Sequence, residues 1–84
     1  MPEISRFYGI RITMYVDHPP AHFHIEYGEE KAIMNIVTGE LVGKLKPTAR
    51  ALVNRWRELH LQELMTDWES LQTKGNFFKI EPLE

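Results

Sequence analysis

Residues 17–37, D-H-P-P-A-H-F-H-I-E-Y-G-E-E-K-A-I-M-N-I-V, decide the fold. From Ala21 onward, polar side chains at His22, His24 and Glu26 alternate with apolar ones at Phe23, Ile25 and Tyr27, the period-2 signature of a half-buried strand over about 21–27. Gly28-Glu29 then supplies a two-residue type II′ turn with glycine at its first position, and residues 31–37 return as the next strand. Paired residues in an antiparallel hairpin count outward from the loop, so Glu26 is expected opposite Lys31, His24 opposite Ile33 and His22 opposite Asn35. Pro19 and Pro20 lack backbone donors and fix their own φ, which makes them a stiff lead into the strand and not part of its interior.

Working outward, residues 7–16 alternate in the same way and predict a first strand, with Tyr8, Ile10, Ile12, Met14 and Val16 on one face. Thr38-Gly39-Glu40 reads as a turn and 41–45 as a short last strand. The sheet then has an apolar face built from Tyr8, Ile10, Ile12, Met14, Phe23, Ile25, Tyr27, Ala32, Met34 and Ile36. Its other face carries Arg11, Thr13, Tyr15, His22, His24, Glu26, Lys31 and Asn35, interrupted by Ile33 and Val37. From Pro47 the period becomes helical, with Ala49, Leu52, Val53, Trp56, Leu59, Leu64, Met65, Trp68 and Leu71 at steps of three and four, and both tryptophans read as core. One helix over 48–73 would be about 39 Å long, too long for a domain of this size, so a break is expected near His60. There it places Arg55, Arg57 and His60 at one helix's C-terminus and Glu63 and Asp67 early in the next, favourable to both dipoles, although Thr66 to Glu69 forms a rival capping-box pattern. Gly75 ends the helical region, and Phe77 to Leu83 is a tail able to return to the sheet edge. The expected fold is a single α+β domain over 1–84, with strands within about 7–45, helices within about 47–73 and a tail at 75–84. It is an antiparallel hairpin meander of three to four strands whose apolar face is covered by two C-terminal helices.

Composition narrows the function classes. Eighty-four residues, 43% hydrophobic and 26% charged, suit one globular domain that buries about 60–65% of its unfolded surface. The absence of cysteine excludes disulfides and thiolate metal sites. No targeting signal is evident and no apolar run approaches the ~20 residues of a membrane span, so a cytoplasmic protein without membrane contact is expected. The net charge of −2 speaks against an overall phosphate grip, and the one basic run, Lys44, Lys46, Arg50, Arg55 and Arg57, is uninterrupted by acids.

Three chemistries fit the residues. His22, His24, Glu26, Lys31, Arg11 and Tyr15 include the base, acid and cation that a metal-independent ribonuclease needs, which makes them candidate catalytic residues; the plainer reading is a solvated sheet face with a Glu26–Lys31 pair. Side chains two apart on a strand are about 6.6–7 Å apart along it, so His22 and His24 are able to share a Zn2+ ion with His18 or a group from the first strand as third ligand, while Glu26 is too distant. Without that ion no cofactor is expected. Lys44, Lys46, Arg50 and Arg57 are candidate nucleic-acid contacts, and Lys44, Lys46 and Arg50 at a helix N-terminus oppose its dipole; more often such charges are simply solvated.

M-P-E-I-S-R-F-Y-G-I at the start, D-H-P-P-A-H-F-H-I-E-Y-G, the T-G-E turn, R-W-R-E-L-H and the closing K-I-E-P-L together resemble a widespread bacterial family catalogued as domain of unknown function four-one-six-zero. The resemblance spans essentially the whole chain, departing at Ala21, where a third proline is frequent. It implies a toxin-like member of a toxin–antitoxin-type pair, with a small antitoxin-like protein as partner and RNA as a target. It supplies no catalytic residues, so His18, His22, His24, Glu26 and Tyr27 enter as motif positions alone. Toxins that act on ribosome-bound messenger RNA are generally basic, whereas this chain is slightly acidic. The alternatives are a non-catalytic zinc-binding or protein-interaction domain, and a DNA-binding autoregulator using the basic run.

Overall fold

The computed structural model describes residues 3–84. Five strands, β1 (Glu3–Phe7), β2 (Ile10–Thr13), β3 (His22–Tyr27), β4 (Glu30–Asn35) and β5 (Leu41–Gly43), form one antiparallel meander in sequence order. Two helices follow, α1 (Pro47–Leu59) and α2 (Leu61–Lys74). The β3–β4 register is the expected one, with Glu26 opposite Lys31, His24 opposite Ile33 and His22 opposite Asn35. Gly28 takes φ 61° while Glu29 keeps a negative φ, the pattern of a type II′ turn.

The sheet has five strands and not three to four, because residues 7–16 are not one strand. Tyr8 and Gly9 both adopt positive φ, 49° and 77°, and turn the chain through a two-residue hairpin that pairs Phe7 with Ile10. That is type I′ geometry, whose twist suits the flanking strands. Tyr8, in that turn, is 58% exposed, and Val16, beyond the end of β2, is 69% exposed, while Ile10, Ile12 and Met14 are buried as expected. β1 escapes the period-2 reading because its register slips between Glu3 and Ser5, so that consecutive residues Ile4 and Ser5 are both buried.

The helical region breaks at His60, whose N–H is shared between the Trp56 and Arg57 carbonyls. The longest dimension of the molecule is 33 Å, so a straight 39 Å helix would overhang it. Thr66, the rival cap, lies inside α2 and donates its hydroxyl to the Gln62 carbonyl. Pro47 occupies the first turn of α1, where its missing N–H is harmless, and Gly75 closes α2 in the left-handed region at φ 76°.

One buried cluster runs from Ile4, Phe7, Ile10, Phe23, Ile25 and Met34 on the strands to Val53, Trp56, Leu64, Trp68 and Leu71 on the helices. Trp56 is fully buried at its centre, with its ring 5.4 Å from Phe7 and 5.8 Å from Phe23. The tail forms no strand. Among the described residues it makes one ladder-like bond, Ile80 N–H to the Ile4 carbonyl at 2.8 Å, and it buries Ile80 and Leu83, while Trp56 Nε1 donates to the Glu81 carbonyl.

Candidate functional site

The histidine motif is built where the chain leaves β2, crosses the two prolines and enters β3. Gln72 of α2 pins the crossing: it accepts from the Asp17 N–H at 3.0 Å and donates to the Tyr15 carbonyl at 3.1 Å. Asp17 Oδ1 accepts the His18 N–H at 2.8 Å, which leaves Oδ2 turned to His22 Nε2 at 3.2 Å. The other nitrogen of that ring, Nδ1, lies 2.7 Å from the Pro20 carbonyl. His22 is wedged between His24 and Trp68, with ring centroids 5.5 Å and 5.1 Å away. Tyr15 meets the His24 ring edge-on at 4.7 Å.

Electrostatics follow this geometry. The His18 N–H, followed by the His22 ring, holds the Asp17 carboxyl below its usual range. Burial, reinforced by the neighbouring His22, pushes His24 down and favours its neutral imidazole. Its Nε2 is buried without a hydrogen-bond partner. Ligand-type atoms of Asp17, His22 and His24 all lie within 4.8 Å of one another; His18, one of the expected third ligands, is outside this group. His18 reaches Asp17 through its backbone, because the proline corner folds residue 17 and not residue 18 toward β3.

The polar face of the sheet carries the remaining candidates in cross-strand rows. Thr13, His24, Ile33 and Val42 form one row, and Arg11, Glu26 and Lys31 the next. Glu26 stands opposite Lys31, but its ion pair is with Arg11 at 3.3 Å, and Arg11 also approaches Glu3 at 3.3 Å. Tyr15, His24, Glu26, Lys31, Ile33 and Val42 line an open hollow of about 550 Å³. Five of the six candidate catalytic residues, Tyr15, His24, Glu26, Lys31 and Arg11, are thus on or beside this hollow, whereas His22 faces the proline corner and a second hollow with Asp17, Asn35 and Glu40.

The basic run is divided. Lys44, Lys46, Arg50 and Arg55 are exposed. Arg57 is 8% exposed: its Nη1 donates to the Ile36 carbonyl at 2.9 Å and to Val37 at 3.4 Å, and its Nε to Asn54 at 3.0 Å. Expected as a nucleic-acid contact, it is committed instead to the β4–β5 turn.

Sequence reasoning missed Asp17, Trp68 and Gln72. Asp17 stood beside the motif, and its role depends on how two prolines redirect the chain. Trp68 and Gln72 reach the motif from a helix more than forty residues away, which no local pattern announces.

Among the described residues no helix is long and apolar enough to cross a membrane. The chain has no significant match among curated proteins or solved structures. Residues 9–69, which hold the whole histidine motif, the polar face from Arg11 to Val42 and most of both helices, match the family described as "Domain of unknown function (DUF4160)", and the chain belongs to that family.

Proposed function

We propose that the chain is the toxin-like component of a cytoplasmic toxin–antitoxin-type pair, engaging its cognate partner protein through the polar sheet face and acting on RNA when released. In this reading the two helices cover the apolar face and leave the opposite one for the partner. The observation that carries the proposal is the open hollow on that face, where Ile33 and Val42 supply apolar area beside Tyr15, His24, Glu26 and Lys31. A concave surface mixing apolar area with a few polar and charged groups suits the anchoring of a partner's side chain. The acidic balance of the chain favours a protein as its stable partner, with RNA engaged locally by Arg11 and Lys31.

Induced expression tests it, comparing wild type with the His22→Ala/His24→Ala double variant at matched soluble levels and verified folding. Growth arrest by wild type alone, with cleaved RNA in the arrested cells, is the expected result. Harmless expression of both proteins would remove the toxin-like reading.

A further inference from the structure

We infer that Asp17, His22 and His24 form a binding site for a zinc-type divalent transition-metal ion. The hydrogen-bond roles around the His22 ring conflict. The Pro20 carbonyl can only accept, so His22 Nδ1, 2.7 Å away, carries a proton. Nε2 then presents its lone pair to Asp17 Oδ2 at 3.2 Å, and a carboxylate oxygen also only accepts. Two acceptors that close need a cation between them, either a further proton, on the ring or on the carboxyl, or a metal ion.

His24 decides between the two. A second proton would set an imidazolium 5.5 Å from another half-buried imidazole and leave His24 Nε2 buried without a partner. A metal ion takes the lone pair of His22 Nε2, one oxygen of Asp17 and a ring nitrogen of His24 together. The 3.2 Å between Oδ2 and Nε2 is close to the edge of a tetrahedron with metal–ligand bonds of about 2.0–2.1 Å, which is roughly 3.3–3.4 Å. His24 offers a ring nitrogen within 4.8 Å of both.

The supporting groups are those a metal site requires. A backbone carbonyl fixes the His22 tautomer, the His18 N–H holds the second Asp17 oxygen, and Gln72 holds the Asp17 backbone. Two imidazoles and one carboxylate suit Zn2+ and its neighbours, whereas Mg2+ and Ca2+ favour oxygen donors. Three protein ligands leave a coordination position for water or for a group from a bound molecule. The site stands on its own geometry and does not depend on the toxin-like reading.

Zn2+ is titrated into the tag-free, metal-stripped full chain in competition with a colorimetric chelator. One ion per chain is expected, with affinity reduced about tenfold or more by Asp17→Asn, His22→Ala or His24→Ala, and changed less than about twofold by His18→Ala or His60→Ala. Unaltered affinity in His24→Ala, or no saturable binding by wild type, would overturn the inference. Side-chain ¹H–¹⁵N spectra of the wild type give a reading free of folding effects. Zn2+ is expected to shift the His22 and His24 ring nitrogens and spare His60, and a shift at His60 in their place would overturn it as well.

Discussion

Arg57 Nη1 donates to the Ile36 carbonyl at 2.9 Å, joining α1 to the segment that follows β4. The same guanidinium fills the concave side of the next turn. A Cβ added at Gly39 would stand 2.8 Å from Arg57 Nη2, and Gly39 already needs φ 78°. Buried hydrogen bonds from a charged donor contribute about 1.5–3 kcal/mol each, so Arg57→Ala is expected to lower unfolding free energy by about 3 kcal/mol. Gly39→Ala is expected to lose at least about 1 kcal/mol from its backbone conformation and the contact. Since removing Arg57 relieves the contact, the double variant should be destabilised by less than the sum of the two single changes. Urea denaturation of the four proteins measures this directly, and strict additivity would show that the guanidinium does not support the turn.

The tail contributes to the core without being a strand. Ile80 and Leu83 are buried, Ile80 N–H bonds to β1, and the Glu81 carbonyl satisfies the indole of the buried Trp56. Truncation after Asn76 removes two aliphatic side chains worth about 1.5–3 kcal/mol each and leaves the indole N–H without its partner. A loss of about 4–6 kcal/mol is expected, enough to unfold much of a small domain at 37 °C. Thermal unfolding of the truncated chain tests it, with an unchanged midpoint as the contrary outcome.

Period and turn chemistry made the centre of this fold legible, and long-range packing hid the rest. The β3–β4 register could be counted from Gly28 because a two-residue turn fixes every pair beyond it. The first hairpin was concealed by a coincidence of parity. Tyr8 shares the even positions of Ile10 and Ile12 and so matched their stripe, although the two-residue turn shifts the buried face of β1 to Phe7, the partner of Ile10. His22, His24, Glu26 and Lys31 could be placed on one polar face, but the sequence could not show that Arg57 turns inward or that Asp17 replaces His18 beside His22. Both outcomes depend on where a helix lies against a loop, a matter of packing between distant segments.

Asp67 makes stability depend on pH in an identifiable way. Its Oδ1 accepts the Phe78 N–H at 2.8 Å, its Oδ2 is buried without a partner, and burial pushes its carboxyl above the ordinary value of 3.8. The folded state therefore holds the proton more tightly than the unfolded state. The resulting stabilisation is complete below about pH 3.8 and is lost as pH rises through the folded value. Asp67→Asn keeps the acceptor for Phe78 and abolishes the charge. It is expected to be more stable than wild type at pH 7, by on the order of 1 kcal/mol, with the difference shrinking toward pH 3.5. Paired denaturation curves across this range check the sign, which a difference growing on acidification would reverse.

Tyr8 offers a change in the stabilising direction. It is the sole non-glycine residue at positive φ among the described residues, and with Gly9 it forms a turn whose favoured pair is Asn-Gly. An L-residue with a bulky side chain is disfavoured in the left-handed region by about 1–2 kcal/mol, a penalty that asparagine reduces through local hydrogen bonding. Against this stands the edge contact of Tyr8 with Phe7, ring centroids 6.4 Å apart, which at 58% exposure belongs at the low end of about 0.5–1.5 kcal/mol. The backbone gain is the larger, so Tyr8→Asn is expected to raise stability by about 0.5 kcal/mol. Because the turn joins β1 to β2, amide hydrogen exchange should slow most along that pair. Faster exchange there would mean that the tyrosine ring, and not the backbone, holds the hairpin together.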